Sequence, residues 1–118
     1  MVQRPRGTRD FIPAVMNRRL AFENLLESKA VSHGFRRVQT PIFESLDLFT
    51  AKSGPGVVKQ LYAFEDKSGR SLTLRPELTA PVMRMISEEM RSSPKPLRLS
   101  YFGPVSYTHL TLPTMDSV

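Results

Sequence analysis

Residues 60–85, QLYAFEDKSGRSLTLRPELTAPVMRM, decide how the chain is built. QLYAFED (60–66) and RSLTLRPE (70–77) flank Lys67-Ser68-Gly69, a turn composition, and Leu72 and Leu74 alternate with polar neighbours. That pattern predicts a β-hairpin. Tyr62 and Phe64 also alternate and are expected in the core. The second strand runs into Pro76, and Thr79 stands where a helix N-cap is expected, with Pro81 tolerated in the first turn. Val82, Met83, Ile86 and Met90 supply the apolar face of that helix, which leaves Glu88, Glu89 and Arg91 for water.

Upstream, QRPRGTRDFIP (3–13) is basic and punctuated by Pro and Gly, which predicts an extended arm. Pro13 suits the entrance to a helix over 14–33. Val15, Phe22, Leu25, Leu26 and Ala30 fall near one face, Arg19 interrupts it, and Gly34 ends it. FRRVQTPIFES (35–45) reads as a β-rich stretch in which Pro41 limits pairing. SLDLFTAK (45–52) reads as a short helix closed by SGPG (53–56). Downstream, SSPKP (92–96) breaks the third helix and LRLSYFG (97–103) reads as another strand. Hairpin-joined strands with helices between them predict an α+β domain with an antiparallel sheet rather than a doubly wound one.

The 118 residues amount to about one domain, 40% hydrophobic and 24% charged. The apolar runs are too short for a membrane-spanning helix, and the start, MVQRPRGTRDF, has no apolar core of a secretion signal. The absence of Cys excludes disulfides and thiolate metal sites and fits a cytoplasmic protein. His33 and His109 are too few for a usual His-based metal site, so no metal centre is expected. Seventeen basic against eleven acidic residues give a net charge of +6, which favours polyanions or simply keeps the protein soluble. Arg4, Arg6, Arg9, Arg36 and Arg37 are candidates for an RNA backbone, although such runs are more often solvated or paired surface. Phosphate loops and dinucleotide fingerprints are absent, as are nucleophile-elbow and zinc-protease motifs.

LRPELT (74–79) is the leading site candidate. A strand ending at Pro76 puts Glu77 and Thr79 at the strand-to-helix junction, where a carboxylate and a hydroxyl can accept hydrogen bonds from an ammonium group. The other role open to them is capping, with Thr79 as N-cap and Glu77 favouring the positive helix start. Capping is far commoner than ligand binding.

RPRGTRDFIP (4–13), GFRRVQTPIFE (34–44), LFTAKSG (48–54), the run from Val57 to Met85 and PKPLRLSYFGPV (94–105) occur in an order that resembles histidyl-tRNA synthetases. The resemblance is closest to archaeal-type members and covers residues 3–104. It implies part of a class II synthetase catalytic domain, an antiparallel sheet with flanking helices. TPIFE (40–44) resembles class II motif 1, which implies a homodimer interface containing Pro41. LRPELT resembles the segment that holds the α-ammonium of histidine, which assigns that role to Glu77 and Thr79 rather than capping alone. The implied reaction activates histidine with ATP and Mg²⁺ and esterifies tRNA(His).

PLRLSYFGPV (96–105) resembles the first strand of motif 2, which in the family continues with a phosphate-binding Arg; here SYTH follows Val105. The resemblance therefore implies an N-terminal fragment cut within motif 2. Such a fragment lacks both catalytic arginines of the family and is expected to be inactive by itself, with no tight ATP or Mg²⁺ site. From Val105 to Val118 the chain has no Arg or Lys and one acid, Asp116. One codon choice for VSYTHLTLPT (105–114) reproduces a transposase mosaic end running into a sequencing adapter, and MDSV (115–118) fits the adapter's variable index, Val and stop. Residues 105–118 are accordingly expected to be a non-native, disordered tail. Two rivals share the early features: the regulatory paralogue that acts with ATP phosphoribosyltransferase, and a basic RNA-binding module. The Glu-Leu-Thr of LRPELT and the Arg-Gly-Thr-Arg-Asp opening favour the synthetase.

Overall fold

The computed structural model describes residues 1–106, and residues 107–118, most of the expected tail, lie outside them. Val105 and Ser106, counted with that tail from the sequence, are in contrast placed: Val105 packs against the core and the Ser106 amide donates to the Arg75 carbonyl. Met1–Phe35 forms one compact unit and a second begins at Arg36. The first contains helix α1, Pro13–Ser32, with Pro13 in its first turn. It ends as the sequence predicts. Gly34 takes φ +85°, and the amides of Gly34 and Phe35 donate to the carbonyls of Val31 and Ala30, which closes the last turn. The apolar face expected for α1 is not buried. Phe22 and Leu25 are exposed, and no residue of the helix is fully buried. In the arm, the guanidinium groups of Arg9 and Arg19 lie 5.3 and 4.6 Å from the centre of the Phe11 ring. That ring packs against cations, not into a core.

The second unit is α+β. Its strands are β1 (Arg36–Arg37), β2 (Phe43–Ser45), β3 (Ala63–Glu65), β4 (Ser71–Leu74) and β5 (Leu99–Ser100). Helix α2 spans Asp47–Ser53, a 3₁₀ turn spans Pro55–Gln60, and α3 spans Thr79–Glu89. β4 is central in an antiparallel sheet of order β2-β4-β3, with Phe43 opposite Leu74 and Phe64 opposite Leu72. The predicted hairpin is β3–β4. β1 and β5 add a parallel pair, Arg36 with Leu99 and Arg37 with Ser100. Pro41 lies in the gap between β1 and β2, consistent with its missing N–H donor.

The hairpin turn shows its own chemistry. Asp66 Oδ1 accepts the amides of Ser68 and Arg70, both at 2.9 Å, and Gly69 takes φ +81°. The Arg70 amide, opposed by desolvation and helped by the Arg70 side chain and the Ser68 amide, holds the Asp66 pKa below its ordinary 3.8. A depressed carboxyl pKa stabilises the fold above the unfolded value, and the contribution is lost as pH falls through the folded value. Acid below pH ~4 is therefore expected to loosen the turn, read as titrating amide shifts at Ser68 and Arg70 by NMR. Asp66→Asn should abolish that titration; shifts that titrate equally in the variant would contradict the assignment.

The core centres on Leu78, Val82 and Tyr101, with Val38, Met85, Ile86, Leu99 and Val105 packed against it. Met85 thus takes the core position expected for Met83, which is exposed because it lies about 100° around the helix from Val82. Tyr62 and Phe64 are likewise exposed, contrary to expectation. The β2–β4–β3 register explains why. Glu44 and Thr73 are paired and buried on one face, whereas Phe43 and Phe64 alternate to the other and meet edge-on, ring centres 6.1 Å apart.

Candidate functional site

β4 delivers four residues, Arg75 to Leu78, into the start of α3, and each has a distinct fate. Arg75, Pro76 and Leu78 are buried. Leu78 is pulled into the core cluster and so occupies the cap position without a polar side chain. Thr79 becomes the first helical residue instead of the N-cap that its type suggested. Glu77 performs the capping: its carboxylate accepts the amides of Thr79 and Ala80, the latter at 3.1 Å from each oxygen. Two of the orphan donors of the helix are thereby satisfied, and the negative charge sits at the positive helix end.

The hydroxyl of Thr79 is consequently free of capping and faces the Tyr101 hydroxyl, 3.4 Å away. Tyr101 follows β5, its ring buried beside Leu78 and Val82. The structure thus brings together the two residues singled out in the sequence and adds Tyr101 to them. Glu77 is half-buried and Thr79 exposed, so the group is open to solvent. A carboxylate and two hydroxyls supply acceptors for the three N–H donors of a primary ammonium group.

Two charged residues behind this junction were not read from the sequence as site residues. Glu44, buried on β2, pairs with Arg84 of α3. Arg84 Nη2 donates to Glu44 Oε2 at 3.0 Å, while Arg84 Nε lies 2.8 Å from Oε1 without the alignment of a hydrogen bond. Arg84 Nη1 also donates to Glu88 at 3.1 Å. Burial works to lower the Arg84 pKa, but the bonds from Glu44 and Glu88 outweigh it, and the net direction is upward. Arg75 binds peptide carbonyls on both sides of the junction. Strand alternation was the available signal for both, since Glu44, Thr73 and Arg75 share one face of the sheet.

Pro41 is exposed and its carbonyl accepts from Arg75 Nη1 at 3.3 Å. Of the arginines considered for RNA, Arg4 donates to the Thr8 carbonyl, Arg9 lies over Phe11 and Arg37 lies over Phe102. Among the described residues no group of three or more His, Cys, Asp or Glu could hold a metal ion, and no helix is long and apolar enough to cross a membrane.

Comparison with known proteins converges on one family. The sequence model described as Histidyl-tRNA synthetase matches residues 7–114. The histidine–tRNA ligase of Methanospirillum hungatei is 55% identical over 103 residues, 87% of this chain and 25% of that protein. The apo histidyl-tRNA synthetase of S. aureus superposes with a TM-score of 0.77 at 38% identity, covering 89% of this chain and 29% of that one. A Bacillus halodurans protein described as an ATP phosphoribosyltransferase regulatory subunit/histidyl-tRNA synthetase gives 0.80 at 26% identity, covering 99% and 31%. The chain spans about a quarter of the length of the curated relatives it matches. The matched stretch runs through the hairpin, the strand-to-helix junction and β5, so the segments that build the site are those that define the match: the chain belongs to the histidyl-tRNA synthetase family.

Proposed function

We propose that this chain is the amino-acid-binding part of a histidine–tRNA ligase, in which Glu77 and Thr79 receive the α-ammonium of histidine. The observation that carries the reading is the convergence of the Glu77 carboxylate, the Thr79 hydroxyl and the Tyr101 hydroxyl at an open helix start. Thr79 is released from capping by Glu77, and a hydroxyl without that duty suits a ligand. The whole protein would activate histidine with ATP and Mg²⁺ and transfer it to tRNA(His) in the cytoplasm. The buried guanidinium of Arg75 is committed to backbone carbonyls and so is not offered to a phosphate. By itself the chain is expected to bind histidine without histidine-dependent pyrophosphate exchange.

Titration of the chain with histidine, followed by NMR, tests the reading. Histidine and histidinol, which share the ammonium, should both shift the Thr79 and Ala80 amides, and N-acetylhistidine should not. Glu77→Gln should lower histidine affinity by about tenfold or more, the size of a hydrogen bond to a charged partner. Equal binding of N-acetylhistidine would sink the ammonium assignment.

Motif 1 in this reading forms a homodimer interface around Pro41. Ile42 and Phe43, both exposed, support it, because an apolar patch of this kind marks an association surface. The fold match to the Bacillus halodurans protein keeps a second reading in play, a regulatory paralogue that works with ATP phosphoribosyltransferase. Recovery of the complete gene separates the two: motif 2 with its Arg and an anticodon-binding domain support the ligase. Binding of tRNA to residues 1–106 alone, with a steep salt dependence, would favour an RNA-binding module instead.

A further inference from the structure

Arg75 is only 3% exposed, yet its hydrogen-bond partners are carbonyls and a hydroxyl rather than a carboxylate. Nε donates to the Pro104 carbonyl at 3.0 Å. Nη1 reaches the Thr40 carbonyl at 3.1 Å and the Thr40 hydroxyl and Pro41 carbonyl at 3.3 Å. Its backbone repeats the pattern: the amide donates to Ile42 at 3.0 Å and the carbonyl accepts from Ser106 at 3.0 Å. Gly103 lies so close to the guanidinium that a Cβ there would collide with Nη2 and stand 3.2 Å from Cζ.

Burying a guanidinium is costly, and desolvation pushes the Arg75 pKa below its ordinary value, with the Glu44 charge opposing. An apolar side chain would fill the space without that cost. What it could not do is grip two separate segments at a fixed spacing, which a rigid fork of donors does. One segment, 40–42, leads into β2. The other, 103–106, follows Tyr101. Arg75 itself stands two residues before Glu77, so it links the stretch that carries Glu77 and Thr79 to the stretch that follows Tyr101.

We propose that Arg75 is the positioning residue of this site: its fork fixes segment 103–106 and thereby holds the Tyr101 hydroxyl beside Thr79. The functional half of this inference rests on the ammonium reading of Glu77 and Thr79. Arg75→Lys keeps the charge and loses the fork. Gly103→Ala attacks the same contact from the opposite side.

Hydrogen exchange and NMR on the 118-residue chain read the consequence. Both variants should speed exchange of the Ser106 amide by about tenfold or more and loosen the approach of the Thr79 and Tyr101 hydroxyls. The amides of Leu46 and Asp66, bonded to Ser71 and Arg70 in the remote part of the sheet, should keep their protection. Unchanged Ser106 exchange in Arg75→Lys overturns the proposal. So does loss of Leu46 and Asp66 protection in both variants, which would make Arg75 a general fold residue. Histidine titration of the same samples separates the two readings. Binding that Arg75→Lys leaves intact overturns the positioning role. If the unmodified chain takes no histidine while Arg75→Lys still frees 103–106, the ammonium reading falls and the positioning of that segment stands.

Discussion

Leu78→Ala is expected to lower the unfolding free energy by about 2–4 kcal/mol, measured as a shift of the urea midpoint at unchanged slope. Leu78 is 3% exposed and packs with Val82 and Tyr101, so truncation leaves a cavity bordered by the helix start and by β5. The position does more than fill space. Burial of Leu78 is what displaces the cap from Thr79 and leaves Glu77 to bind the first amides of α3. The variant should therefore also weaken the Thr79–Tyr101 contact and, with it, histidine binding. Leu78→Met, which nearly conserves volume, should cost less than about 1.5 kcal/mol and keep that contact. A Leu78→Ala chain with wild-type stability would mean that this cluster is not the core of the second unit.

That displacement also shows where sequence reading stops. Turn and helix-end chemistry is local, and most of it was legible: Lys67-Ser68-Gly69 marks the hairpin turn, Gly34 ends α1, and the α+β class follows from the order of the elements, whereas the bonds that Asp66 makes across the turn were not read. Glu77 and Thr79 were legible as a pair from type and spacing, but their division of labour was not. Local propensity assigns the cap to Thr79, and only the tertiary burial of Leu78 moves it to Glu77. The parallel pairing of β1 with β5 joins residues more than sixty positions apart, and no local pattern encodes that register. Arg75 and Glu44 were missed because charged residues are rarely buried unless paired or bonded. The sheet reverses the usual arrangement, with Glu44, Thr73 and Arg75 inside and Phe43 and Phe64 outside. Such conflicts between local pattern and fold concentrate at functional positions. Here the inward charges sit directly behind the proposed ammonium site.

Glu44→Gln is expected to destabilise the chain by about 2–4 kcal/mol, since removing one partner of a buried ion pair leaves the other uncompensated. The expected loss lies below the largest such effects for two reasons. Arg84 keeps 28% of its side-chain surface in solvent, and Glu88 remains bound to its other nitrogen. The Arg84 pKa is raised, so its side of the pair is fully formed below the ordinary arginine value and is lost only as pH rises through the still higher folded value. Alkali within the working range should not reproduce the substitution. Because the Glu44 charge also favours the charged form of Arg75, its neutralisation should weaken the hold of Arg75 on segment 103–106, visible as faster Ser106 exchange. Replacing both partners, Glu44→Leu with Arg84→Met, should recover most of the lost stability, because no charge is then left unpaired. Recovery of stability with continued loosening of segment 103–106 would assign the pair to positioning Arg75 rather than to holding α3 on the sheet. A double variant as unstable as Glu44→Gln would show instead that the pair itself is net stabilising.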